Sequence, residues 1–118
     1  MNKQSEWDSF TYKEKTALMS LFTEEALKDE NWNIRIRAYR SLGFTEEAKK
    51  DEDWNIRLEA YHYLGFTEEA KKDVDCDIRI EAYRSLGFTE EALKDKCYDI
   101  RNYAEIYLDY IKKQNKTL

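Results

Sequence analysis

All three glycines of this 118-residue chain fall at one phase of a repeat: Gly43, Gly65 and Gly87 stand 22 residues apart. The text around them repeats as well. Leu42 to Tyr63 reads LGFTEEAKKDEDWNIRLEAYHY, Leu64 to Ser85 reads LGFTEEAKKDVDCDIRIEAYRS, and partial copies lie on both sides. A fixed period in this range constrains the chain to a stacked array, because a unit so short can bury an apolar face only against its neighbours. Proline is absent and glycine is rare, which excludes long loops and linker-like stretches.

Each unit reads as two helices. Thr45 is a candidate N-cap whose hydroxyl can accept an N–H of the first turn, and Glu46 and Glu47 follow at the positive end of the helix dipole. Ala48, Lys49 and Lys50 continue a first helix of about two turns. Asp53, with Asn31 and Asp75 as counterparts, caps a second helix that ends at Gly65 in a left-handed C′ position, and Phe66 packs back on the helix end. At 100° per residue, Ile56, Ala60 and Leu64 form an apolar ridge that Leu58 and Tyr61 widen. Ile34, Ala38 and Leu42, then Ile78, Ala82 and Leu86, then Ile100, Ala104 and Leu108 repeat that ridge.

The fold expected is all-α: a right-handed α-solenoid of about four short helix pairs with N- and C-terminal capping helices. The boundaries are a cap helix at about 6–21 with Leu18 and Leu21 inward, and repeats at about 22–43, 44–65, 66–87 and 88–109. A final helix extends to about 113, with Tyr103, Tyr107 and Tyr110 closing the core, and a frayed tail covers 114–118. Hydrophobic residues at 42% and aromatics at 14% support one packed domain, and a thin array explains a charged fraction of 38%.

The net charge of −5 argues against a phosphate-backbone binder and fits a basic protein partner weakly. No apolar run approaches the roughly 20 residues of a membrane helix, and MNKQSEWDSF carries no signal-peptide core. The expected setting is cytoplasmic, without membrane contact. Cys76 and Cys97 occupy different repeat phases and are expected as two reduced thiols. Trp32 and Trp54 recur at one phase and are expected to pack between repeats. His62, the only histidine, has Arg40 and Arg84 as counterparts and no nucleophile beside it in pattern. KDEDWN lacks the glycine and terminal glutamate of a calcium loop. No catalytic residue, metal site or cofactor is expected.

The string D-x-x-x-x-I-R-x-x-A-x-x-x-L-G resembles the second helix of HEAT-like repeats of the armadillo/HEAT class, over about Phe22 to Asp109. The resemblance implies a hydrogen-bonded ladder between successive repeats, carried here by Asp29 and Arg35, Asp51 and Arg57, Asp73 and Arg79, and Asp95 and Arg101. The unit of 22 residues, without proline, is shorter than is usual for that class, and short leucine-rich-variant-type helical repeats are a near alternative.

The resemblance also implies protein–protein interaction, although a fold alone does not determine function. The expected binding surface is the exposed side of the second helices: Arg37, Arg40, Glu59, His62, Tyr63, Glu81 and Arg84, bordered by Ile36, Leu58 and Ile80. The function expected is a non-enzymatic adaptor or scaffold acting on another protein, as a monomer, with a dimer as the other option. One alternative is a small inhibitor, such as a phage anti-defence or toxin-immunity protein. Another is a nucleic-acid-binding HEAT-like module using Arg35, Arg37 and Arg40, with Glu59 and Glu81 interrupting the basic stripe.

Overall fold

A computed structural model describes residues 2–116, with backbone only at the last of these. Those residues are all helical: α1 (Lys3–Asp8), α2 (Tyr12–Leu18), α3 (Thr23–Leu27), α4 (Trp32–Leu42), α5 (Trp54–Leu64), α6 (Cys76–Leu86) and α7 (Tyr98–Lys116). Short 3₁₀ turns cover Met19–Leu21, Glu46–Lys50, Glu68–Lys72 and Glu90–Lys94. No helix among the described residues is long and apolar enough to cross a membrane. The chain divides into two compact units, one ending at Leu64 and the other starting at Gly65.

The expected first helix of each pair is tighter and shorter than the sequence suggested. Only five residues separate Thr45 from Asp51, whose backbone is already extended, and the turn closes with i→i+3 bonds. Thr45 caps it with its carbonyl, which accepts the Ala48 N–H at 3.0 Å; its hydroxyl makes no cap bond. The second helices start as expected: Asn31, Asp53 and Asp75 each accept the N–H two residues on at 2.9 Å. At their C-terminal ends Gly43 and Gly87 sit at φ +99° and ψ 142°, an extended positive-φ conformation in place of the left-handed helical one expected. Only glycine reaches it without strain. The chain then turns so that Phe44 stacks on Tyr39 and Phe88 on Tyr83, planes within 10°.

In the first unit, the single cap helix expected at 6–21 is two helices. Thr11 restarts the chain with a capping box: the Glu14 N–H bonds its hydroxyl and its own N–H bonds the Glu14 carboxylate. The break lets Trp7 insert fully, against Phe22, Ala26, Ile34 and Ala38. Leu18 is half-buried there, while Leu21 faces solvent. A second cluster joins Ile36, Tyr39, Ala48, Ile56 and Ala60. The second unit has the matching cluster of Ile80, Tyr83, Ala92, Ile100 and Ala104. The ridge is therefore an Ile–Ala pair in each helix; Leu42, Leu64 and Leu86 at the helix ends are substantially exposed. Trp32 and Trp54 are also about two-fifths exposed, so the expected packing role does not bury them.

The Asp–Arg pairs separate into two kinds of bond. Within a repeat, the arginine reaches the aspartate's backbone: Arg35 Nη1 donates to Asp29 O and Glu30 O, Arg57 Nη1 to Asp51 O and Glu52 O, and Arg101 Nη1 to Asp95 O and Lys96 O. The carboxylate is held by the arginine of the preceding repeat. Arg35 binds Asp51 through Nε and Nη2, both at 3.0 Å, and Arg79 binds Asp95 at 3.1 and 3.0 Å. Asp29 has no preceding arginine; Lys15 Nζ and Trp7 Nε1 take its carboxylate at 2.6 and 2.8 Å.

The tail departs from expectation as well. The helix expected to end near 113 continues to Lys116, since no glycine or proline stops it and Lys112 and Lys113 complement the negative end of its dipole. Of the tail expected to fray, 117–118 lie outside the described residues.

Two outcomes follow from the ladder. Arg35→Ala strands Asp51, nearly buried, and should lower stability by about 3 kcal/mol in urea unfolding; an unchanged midpoint would show the ladder contributes nothing. Burial alone would raise the Asp29 and Asp95 pKa values. The bonds from Lys15, the Asn31 N–H and Trp7 to the first, and from Arg79 and the Cys97 N–H to the second, outweigh it and hold both below the carboxylate range. With folded values below the unfolded value of about 3.9, their contribution is complete above that pH and is lost as pH falls through the folded values. The urea midpoint should therefore drop steeply below about pH 4, and Asp29→Asn should flatten that acid slope.

Candidate functional site

Each long helix has an outward face, a stripe at positions 37, 40 and 41 of α4 and their counterparts 22 residues on. In the first unit it is polar and internally paired. Arg40 grips Glu59 with a fork of 3.1 and 2.7 Å, and Arg37 lies 6.0 Å over the Tyr12 ring. His62 and Tyr63 are exposed, and Phe44 packs beside Tyr63. Arg35 is committed to Asp51, and Arg40 to Glu59, so the arginines of α4 do not form an open cationic groove.

The bordering aliphatics are not part of this surface. Ile36 and Ile80 are core residues, and Leu58 is half-buried. Each lies a further 100° round the helix from the stripe, where its neighbours in the unit cover it. This corrects the expectation that they border the interface.

In the second unit the corresponding stripe changes character. On α6 it holds Glu81, Arg84 and Ser85, with Arg84 Nη1 bonding Glu81 at 2.7 Å. On α7 the corresponding positions are Tyr103, Ile106 and Tyr107. These three, with Tyr110, are 37%, 62%, 40% and 60% exposed. Phe88 lies beneath, 6.2 Å from Tyr103 and 5.8 Å from Tyr107, and Arg84 caps the Tyr103 ring at 5.5 Å. Together they line an open cleft of about 440 Å³. Of the three tyrosines expected to close the core, Tyr103 and Tyr107 pack on Phe88 at its edge, while Tyr110 faces outwards.

This patch is the feature the sequence reading missed. The signal was available: carrying the stripe one repeat beyond Ser85 reaches Tyr103, Ile106 and Tyr107. A solvent-exposed helix face of that composition has the aromatic and arginine content of an interface centre. It contains no nucleophile–base pair, and no group of three His, Cys, Asp or Glu among the described residues could hold a metal.

Cys76 and Cys97 meet at the start of this site. The structure joins them as a disulfide, with Cα atoms 6.4 Å apart, against the expectation of separate thiols. Their phases differ by one residue, but Cys76 opens α6 and Cys97 immediately precedes α7, and the two helix starts lie side by side in the unit. The bridge thus fixes the helices whose outward residues form the cleft. Comparison with protein-family models, curated proteins and solved structures returns no significant match.

A covalent tie across 21 residues should stabilise the chain by about 3 kcal/mol through the unfolded state. Air-oxidised protein should show a Cys76–Cys97 cross-linked peptide, and reductant should lower its unfolding midpoint. Reductant should leave Cys76→Ser/Cys97→Ser unchanged; an equal shift in that variant would contradict the bridge.

Proposed function

We propose that this chain is a non-enzymatic protein–protein interaction module. In this reading it is a HEAT-like helical solenoid that engages a protein through the outward face of its long helices. The observation that carries the reading is the Tyr103, Ile106, Tyr107 and Tyr110 face of α7 with Arg84 at its rim, large side chains left partly exposed at helical spacing. Four such side chains cost solubility, and a partner that covers them recovers the burial free energy. Within the first unit, the exposed polar residues of α4 and α5 offer a second, separate surface. A cytoplasmic setting belongs to the proposal, and the Cys76–Cys97 disulfide counts against it, because reducing compartments keep thiols unpaired.

Ile106→Glu tests it. Ile106 is mostly exposed, so the variant should keep its helical circular dichroism and unfold within about 0.5 kcal/mol of wild type. A protein captured by the wild-type chain should be lost by Ile106→Glu. It should be kept by Arg37→Glu if α7 holds the centre of the interface. Equal capture by wild type and Ile106→Glu would remove α7 from the binding surface.

A further inference from the structure

We infer that the occupant of the α7 face is a second copy of this chain, paired antiparallel about Ile106. This rests on reading that face as a protein interface and names what fills it. Along α7, Asp99, Tyr103, Ile106, Tyr110 and Lys113 follow one another at spacings of four, three, four and three. That is the seven-residue stripe of a helix that packs lengthwise on another helix. All five are exposed.

The stripe is symmetric in chemistry about its centre. Ile106 lies midway between Asp99 and Lys113, seven residues from each, and a tyrosine stands on either side of it. A two-fold axis at Ile106 therefore sets Ile106 against its own copy and Asp99 against the partner's Lys113, while Tyr103 falls opposite position 109, one residue short of the partner's Tyr110. Both ends become opposite-charge pairs, and the centre is apolar. An isologous contact requires this self-complementarity. A parallel pairing would face Asp99 with Asp99 and Lys113 with Lys113, so the charges also select direction.

The surroundings accept that register. Lys113 bonds Asp109 through a solvent-exposed contact of 3.0 Å that can exchange for Asp99 of the other copy. The partner's Tyr110 comes next to Tyr103, whose ring the Arg84 guanidinium already covers. The side of α7 next to this stripe is hydrophilic. Where α6 places Ile80 and Tyr83 in the core, α7 places Asn102 and Glu105 in solvent.

Charge variants of the full chain test the pairing by sedimentation equilibrium at low salt. Wild type should sediment with the mass of two chains. Asp99→Lys alone and Lys113→Asp alone should each weaken association about tenfold or more, because each homodimer then faces like charges at both ends. An equimolar mixture of the two variants should associate again as a heterodimer, with attraction restored at both ends, and high salt should erase the difference. Ile106→Glu, which puts two carboxylates on the axis, should be monomeric. A monomeric wild type, or a mixture that associates no better than its components, overturns the pairing. If wild type is monomeric while Ile106→Glu still loses a captured protein, the pairing fails and the interaction reading stands. If wild type is a dimer and the mixing pattern holds, the pairing stands whether or not another protein is captured.

Discussion

The arginine that joins one repeat to the next is the contact from which the rest of each unit is positioned. Arg35 spends one nitrogen on the carbonyls of Asp29 and Glu30 and two on the carboxylate of Asp51. It thereby ties the turn behind its own helix to the turn ahead. Asp51 is then fixed on both oxygens and also accepts the Asp53 N–H at 2.9 Å. Asp53 in turn caps α5. Arg79, Asp95 and the Cys97 N–H repeat the sequence of contacts at the start of α7. A buried guanidinium is costly to desolvate, and apolar residues of the same volume often serve stability as well. What the planar fork adds is register, since two parallel N–H···O bonds fix the approach of the next turn. Among the described residues no buried side-chain nitrogen or oxygen is left unsatisfied, so the desolvation is matched by bonds throughout.

That dependence explains which features could be read from the sequence. The caps at Asn31, Asp53 and Asp75, the glycines at the helix ends and the buried Ile–Ala pairs are local or strictly periodic, and each stands where the pattern put it. The ladder residues were also legible, but their partners were not. Asp51 and Arg57 lie six apart in sequence and look like a pair, whereas a carboxylate needs a donor across the repeat boundary, 16 residues back at Arg35. Lys49 was likewise read as a plain helix former. It is buried, its ammonium 5.2 Å over Tyr61 and bonded to Glu46, and Leu93 stands at the same phase in the last turn. Propensity does not distinguish an exposed lysine from one whose stem fills a core position.

The ends defeated periodic reasoning for a different reason: there the residues depart from the repeated string. At the N-terminus the missing arginine is replaced by Lys15 and the Trp7 indole, two residues from separate helices that share no motif with Arg35. The capping box of Thr11 and Glu14 that separates those helices was a visible signal. It lost to the impression of one continuous helix.

At the C-terminus the substitutions are directional, and this bears on function. A terminal repeat needs only to exchange the apolar positions that a following repeat would cover, and α7 does so at Asn102 and Glu105. Solubility gives no reason for the lateral stripe to move the other way, from Glu81, Arg84 and Ser85 on α6 to Tyr103, Ile106 and Tyr107 on α7. Phe88 anchors two of those rings from below, and Arg84 is drawn onto one of them, so the face is built and supported from within the unit. The chain has therefore made one side of its last helix hydrophilic and an adjacent side apolar. Capping explains the first. The proposed interaction accounts for the second, because a covering surface would recover the burial free energy of those side chains.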